Sequence, residues 1–222
     1  MLFRIHNEGR IYFLTSLIVG IIIFPFFPII GVILIIFSSY IFYFFRDPIR
    51  TIPKEDVIVS PADGIVTYVG KSGPPISLEG DDNFIKISIF LNIFNVHVNR
   101  IPTTGTIKNI NYIHGKFLNA TLEKSSDDNE RNIITLEKEN KDIIIITQIA
   151  GLIARRIVCA VKEKQKVYKG HRFGIIKFGS RVDIYMPSHY KPLITNGQVV
   201  IGGETIISNP NNIKEITNSI KI

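Results

Sequence analysis

The 222-residue chain holds a single cysteine, Cys159, and five scattered histidines. One thiol cannot close an internal disulfide, so no disulfide framework supports the fold, and a reducing compartment suits it. No His-x-His pair occurs and no Cys or His spacing fits a zinc site. That counts against a metallopeptidase on a β scaffold, which needs such a ligand set. No glycine-rich phosphate loop is present either. The net charge is +7, yet no basic cluster interleaved with aromatics stands out in the soluble part. Nucleic acid is therefore not the expected partner, whereas an anionic lipid surface suits the charge.

The largest absence is of charge. Between Ile11 and Phe45 roughly 35 residues pass without one Asp, Glu, Lys or Arg, the pattern of a membrane segment. A straight helix of that length would run about 52 Å, well beyond a hydrocarbon core of about 30 Å. Pro25 and Pro28 interrupt the stretch near its middle, so two shorter helices joined by a tight turn are expected. Arg4 and Arg10 precede the stretch, and Arg46, Arg50 and Lys54 follow it. Basic flanks on both sides place both ends in the cytoplasm, so the segment should enter the membrane and return. A secretory signal peptide would be shorter and would end in small residues, where this chain has Arg46-Asp47-Pro48. Residues 1–45 are expected to form a hydrophobic helical hairpin, with residues 11–45 anchoring the chain to the cytoplasmic face of the cell membrane.

From Val57 to about Ile207 the texture changes to short apolar runs separated by polar turns. Val57–Ser60 and Ile65–Val69 bracket the turn Pro61-Ala62-Asp63-Gly64. Phe84–Phe90, Thr106–Tyr112 and Ile133–Leu136 alternate as strands do. Glu139-Asn140-Lys141 reads as a hairpin tip before a strand Ile143–Thr147. Ser125–Asn132 reads as an exposed loop, and Gly151–Lys162 as a possible helix. A short repeat supports a particular β architecture: Val167-x-x-Gly170-x-x-Phe173-x-Ile175 returns as Val199-x-x-Gly202-x-x-Thr205-x-Ile207. This is similar to lipoyl- and biotinyl-type barrel-sandwich domains, but the lysine they carry at a hairpin tip is missing, so the chain is not a carrier domain. The expected fold is mainly β (α+β), a single barrel-sandwich-like soluble domain over residues 46–222.

Three positions carry possible chemistry. Ser180 sits in Phe178-Gly179-Ser180 between two apolar β-forming runs. Its nearest electrophile is its own peptide bond, and glycine leaves the Gly179 carbonyl unshielded. A plain Gly-Ser bulge is the alternative. His97 lies in Asn95-Val96-His97-Val98-Asn99-Arg100, where a structural strand histidine is the alternative. Asp63 could equally be an ordinary turn residue. Together they offer a nucleophile, a base and a carboxylate to orient it, a candidate triad. All three lie downstream of residue 45, which makes the hairpin expendable for their chemistry.

Ser60-Pro61-Ala62-Asp63-Gly64, Asn95–Arg100, Gln148–Val158, and Arg172-Phe173-Gly174 leading to Phe178-Gly179-Ser180 closely resemble the phosphatidylserine decarboxylase proenzymes, in their short form. The resemblance runs from about Phe45 to Ile207, and the hairpin followed by Phe45-Arg46-Asp47-Pro48 is also family-like. One departure is Phe94, where longer members carry an additional histidine. The resemblance implies a self-cleaving pyruvoyl enzyme of phospholipid biosynthesis. His97, held by Asp63, would take the Ser180 proton, and Oγ would attack the Gly179 carbonyl. Elimination from the ester and hydrolysis would leave a pyruvoyl group on residue 180 and ammonia. The products, 1–179 (β chain) and 180–222 (α chain), would remain a heterodimer, with a higher oligomer also possible. Decarboxylation of phosphatidylserine in the bilayer to phosphatidylethanolamine and CO₂ would run through a Schiff base on that group, without metal or pyridoxal phosphate. Arg155, Arg156 and Arg172 are candidate contacts for the substrate phosphate. A membrane-tethered barrel-sandwich adaptor without chemistry is the reading from another class.

Overall fold

The computed structural model describes residues 4–75, 83–115, 129–151, 156–177 and 180–210. After strand β1 (Arg4–Ile5) come helices α1 (Asn7–Ile23) and α2 (Pro28–Phe44), joined by a turn at Phe24–Phe27. Pro25 lies in that turn and Pro28 in the first turn of α2, where its missing N–H costs no hydrogen bond. Each helix has 17 residues, about 25 Å at 1.5 Å per residue. No helix among the described residues is long and apolar enough to cross a membrane. The helices and their turn nevertheless present bare hydrophobic side chains, including Ile11, Ile22, Phe26, Ile29 and Ile36. α1 and α2 pack antiparallel, and Gly9 lets the start of α1 close onto the Phe45 ring: a Cβ there would lie 2.3 Å from Phe45 Cγ. Strand β2 (Arg46–Asp47) pairs with β1 and returns the chain to the domain.

The domain itself is built of strands. β3 (Ile58–Val59), β4 (Gly64–Ser72), β5 (Phe84–Leu91), β6 (Val98–Arg100), β7 (Gly105–Ile113), β8 (Arg131–Glu137) and β9 (Ile143–Ala150) come first. β10 (Arg156–Cys159), β11 (Lys166–Val167), β12 (Arg172–Lys177), β13 (Ser180–Pro187), β14 (Val199–Val200) and β15 (Ile206–Ser208) follow. Eight of them form a curled half-barrel sheet in the order β11-β7-β8-β9-β13-β5-β4-β14. A three-stranded sheet, β10-β12-β6, and the pair β15-β3 complete the described strands of the domain. The mainly-β expectation, with helices confined to the N-terminus, is met. Isoleucine fills the interior: Ile87, Ile89, Ile134, Ile144, Ile146 and Ile184 are all fully buried. Its β-branched side chain is stiff and packs well on a pleated surface.

A pseudo-twofold relation organises one end of the domain. The Val59 N–H donates to the Pro102 carbonyl at 3.0 Å, and the Arg100 N–H donates to the Pro61 carbonyl at 2.8 Å. The segments Ser60-Pro61-Ala62-Asp63-Gly64 and Ile101-Pro102-Thr103-Thr104-Gly105 thus cross as a reciprocal pair, each leading into a nine-residue strand. Gly203 N–H donates to Ser60 O and Gly170 N–H to Ile101 O, both at 2.8 Å. These two glycines have φ of +83° and +80° and meet over Ile52. The repeat read from the sequence is one residue out of register with this relation: Val167 and Val200 pair with Gly105 and Gly64, and Gly170 matches Gly203 rather than Gly202. The two strands of each copy lie in different sheets, so the glycine turns carry the chain around corners.

Two expectations are corrected. Within Gly151–Lys162 the described residues include strand β10, whose Ile157 and Val158 pair with Ile176 and Ile175 of β12. β-branched residues at a sheet edge favour extension over helix. Asn129–Asn132 is not exposed loop: Asn129 and Asn132 are buried, donating to Ala150 O and Gln148 Oε1 at 2.9 Å each. Residues 125–128 and 152–155 lie outside the described residues.

Candidate functional site

Ser180 is the first residue of β13, the strand held between β9 and β5. Its partners across the sheet are Ala150 and Leu91. Side chains alternate along a strand, and Val182, Ile184 and Met186 belong to the core, so Ser180 shares their face. Ser180 is fully buried, and its Oγ has no hydrogen-bond partner among the described residues. A buried hydroxyl left unpaired costs on the order of 1–3 kcal/mol, an expense typical of functional positions. Gly179 and Phe178 lie outside the described residues.

Directly after Leu91 the chain makes a turn fixed by its own asparagines. Asn92 N–H donates to Asn95 Oδ1 at 2.9 Å, and Phe94 N–H donates to Asn92 Oδ1 at 2.8 Å. This turn delivers His97 to the start of β6, and the His97 carbonyl accepts the Ile176 N–H at 3.4 Å. Both residues thus depend on the end of β5, Ser180 by pairing with Leu91 and His97 by the turn after it, and no hydrogen bond joins them. The imidazole is fully buried. Its Nδ1 lies 3.0 Å from the Asn95 carbonyl, which can only accept, so Nδ1 carries the proton and Nε2 presents its lone pair. Nε2 is buried and has no partner among the described residues. Burial lowers the imidazole pKa to about 4; the Arg46 charge adds to this and the Asn95 bond opposes it. A neutral imidazole with an idle Nε2 is the state a general base requires.

Asp63 is placed differently from the sequence expectation. Its Oδ1 accepts from Arg50 at 2.9 Å and from the Gly202 N–H at 2.8 Å, and its Oδ2 accepts from Arg50 at 2.7 Å. No hydrogen bond joins it to His97; the Asn95 carbonyl holds Nδ1 instead. The pseudo-twofold relation supplies the reason. Thr104, one segment over, accepts the Lys169 N–H on its hydroxyl at 3.2 Å, as Asp63 accepts that of Gly202. Each side chain staples the glycine turn beside it. Burial pushes the Asp63 carboxyl up, while Arg50, the Gly202 bond and Arg46 pull it down. Arg46 is thus the charge felt by both Asp63 and His97.

Of the candidate phosphate contacts, Arg156 is exposed on the edge strand β10, paired in register with Lys177. Arg172 is ion-paired to Asp47, a carboxylate that Arg100 also holds at 3.0 Å. Arg155 lies outside the described residues. Among the described residues no group of three or more His, Cys, Asp or Glu side chains is placed to hold a metal ion. Sequence reasoning passed over Arg50, read only as a topological charge, and Asn95, whose part is played by its backbone. It also passed over Phe44, the ring packed on His97 at 4.2 Å between centroids.

Comparison with known proteins gives a consistent result. Residues 37–208 match the family model described as phosphatidylserine decarboxylase. A protein of Ehrlichia chaffeensis named phosphatidylserine decarboxylase proenzyme is 49% identical over 92% of this chain and 91% of its own. Proteins of the same name from Rickettsia akari and Ehrlichia ruminantium are 48% and 49% identical, over 92% and 94% of this chain and 89% and 92% of theirs.

Proposed function

The chain belongs to the phosphatidylserine decarboxylase family, and we propose that it matures by cutting itself between Gly179 and Ser180, leaving a pyruvoyl group at residue 180 that serves its reaction. It is a lyase, and the reaction is decarboxylation of phosphatidylserine. The relatives' designation as proenzymes agrees with cleavage into fragments.

The observation that carries the reading is a matched pair of idle atoms. Ser180 Oγ and His97 Nε2 are buried and without partners among the described residues, and both depend on the end of β5, Ser180 through its pairing with Leu91 and His97 through the turn that follows Leu91. In maturation Nε2 takes the hydroxyl proton as Oγ attacks the Gly179 carbonyl carbon. The C–N bond breaks, the proton passes to the departing amine, and Gly179 is left as an ester on Ser180. Loss of the Ser180 Cα proton expels the Gly179 carboxylate and leaves dehydroalanine, which water converts to a ketone with release of ammonia. The residues present fit that outcome, because Ser180 is buried and opens a strand paired on both sides. A pyruvoyl group supplies an electron sink for the bond that breaks as CO₂ leaves. His97 then acts a second time: Nε2 accepts a proton from the ammonium group of the substrate and returns it to the substrate carbon as CO₂ leaves. Asp63 fixes Arg50 and the Gly202 turn.

The same reading accounts for the halves staying together. β13 lies between β9 and β5, and β14 and β15 pair with β4 and β3, so residues 180–210 are interleaved with strands that precede the cut. The hairpin fits a membrane anchor on the cytoplasmic side, its bare apolar side chains lying in one leaflet and the +7 charge facing anionic lipid. The test is to compare CO₂ release from phosphatidylserine vesicles by the wild-type and Ser180→Ala chains. The variant should stay whole and release none; release at the wild-type rate contradicts the proposal.

A further inference from the structure

We propose that the N-terminal hairpin is part of the catalytic apparatus, with Phe44 at the end of α2 acting as a positioning residue for the His97 imidazole. The proposal rests on the reading of His97 as the base. The Phe44 and His97 rings lie 4.2 Å apart between centroids at 31°, and both residues are fully buried. Nδ1 is tied to the Asn95 carbonyl at the ring's edge, and the Phe44 face fixes the plane about that bond. One hydrogen bond and one flat wall leave Nε2 a single direction. The same wall excludes water from the ring.

Phe44 does not reach His97 by chance of a flexible tail. It is packed with Ile41, Phe45, Val96, Val98 and Ile175 in a cluster that joins α2 to β6 and β12. Two polar staples hold the same turn to the same helix end. Arg46 Nη2 donates to the Phe94 carbonyl at 2.7 Å, and the Tyr40 hydroxyl donates to the Ile93 carbonyl at 3.3 Å. α1 grips the other approach to the cleavage point: Glu8 Oε2 accepts from Lys177 Nζ at 2.8 Å, two residues before Gly179. The hairpin thus holds both the turn carrying the base and the strand that leads to the scissile bond. Sequence position made it expendable for cleavage; the Phe44 contact reverses that expectation. The charge acting on His97 among the described residues is Arg46, and the polar contact is the Asn95 carbonyl.

The experiment follows self-cleavage of the full chain made by cell-free synthesis with vesicles, from pH 5 to 8, for wild type, Phe44→Ala, Phe44→Leu and His97→Gln. Wild type should cleave at a rate nearly independent of pH, because His97 stays neutral throughout. Phe44→Ala admits water and frees the ring, so cleavage should slow by roughly tenfold or more. It should slow further as pH falls through about 6.5, the ordinary histidine value. A loss of fold alone would lower the yield without moving the pH at which cleavage falls off. Should Phe44→Ala not fold, Phe44→Leu decides: it keeps the wall dry but not flat, and cleavage several-fold slower with a level profile supports the proposal. Wild-type rate and profile in whichever of the two variants folds overturns it. Wild-type cleavage by His97→Gln would instead overturn the role given to His97, an outcome distinct from failure of the Phe44 contact.

Discussion

A single nitrogen of Arg50 donates to both oxygens of the Asp63 carboxylate, at 2.7 and 2.9 Å, with the two side chains only 9% and 15% exposed. Breaking a buried pair from one side leaves a charge without its counter-charge, which costs on the order of 3 kcal/mol. Asp63→Asn and Arg50→Met should each destabilise the chain and slow its cleavage. Because the two residues act through one contact, the double variant should be no worse than the poorer single one. Urea unfolding in a Ser180→Ala background and cleavage rates in the native one would measure this; strictly additive losses would refute the coupling.

His97 makes stability depend on pH in a predictable sense. Its imidazole ordinarily titrates near 6.5, and burial lowers that to about 4 in the folded protein. Between those values the unfolded chain binds a proton that the folded chain refuses, so the contribution is complete above about 6.5 and is lost as pH falls toward 4. The lowered value corresponds to about 3 kcal/mol over that window. His97→Gln in the uncleaved Ser180→Ala chain should remove this slope between pH 6.5 and 4. Parallel unfolding curves for the two chains would contradict the assignment.

Much of this architecture is legible in the sequence, for identifiable reasons. Proline punctuation inside an uncharged run specifies the helix–turn–helix, alternation marks β5, β7 and β8, and the tip Glu139-Asn140-Lys141 marks the approach to β9. Ser180, His97 and Asp63 are legible as residue types in unusual company. Their connections are not. The bond that sets the His97 tautomer comes from a backbone carbonyl, which no side-chain pattern encodes. The Arg50–Asp63 pair and the Phe44–His97 contact are tertiary, joining residues far enough apart in the chain that no local pattern links them. The crossing of Ser60–Gly64 with Ile101–Gly105 leaves little trace in the sequence, because its two copies share only a proline and a glycine.

The hairpin should return both of its ends to one side of the membrane. Each helix spans about 25 Å against a hydrocarbon core of about 30 Å, and both flanks are basic. With Cys159→Ser as background, single cysteines introduced at Arg4 and at Lys54 should label from the same side of sealed vesicles. Labelling from opposite sides would rule out the hairpin arrangement.

Self-cleavage at Gly179–Ser180 is the central claim, and intact mass spectrometry of purified, active protein tests it most directly. The account predicts two polypeptides, 1–179 and 180–222, the second lighter by one ammonia than the same peptide beginning with a free serine and blocked to Edman degradation. Active enzyme consisting only of the full-length chain would contradict it.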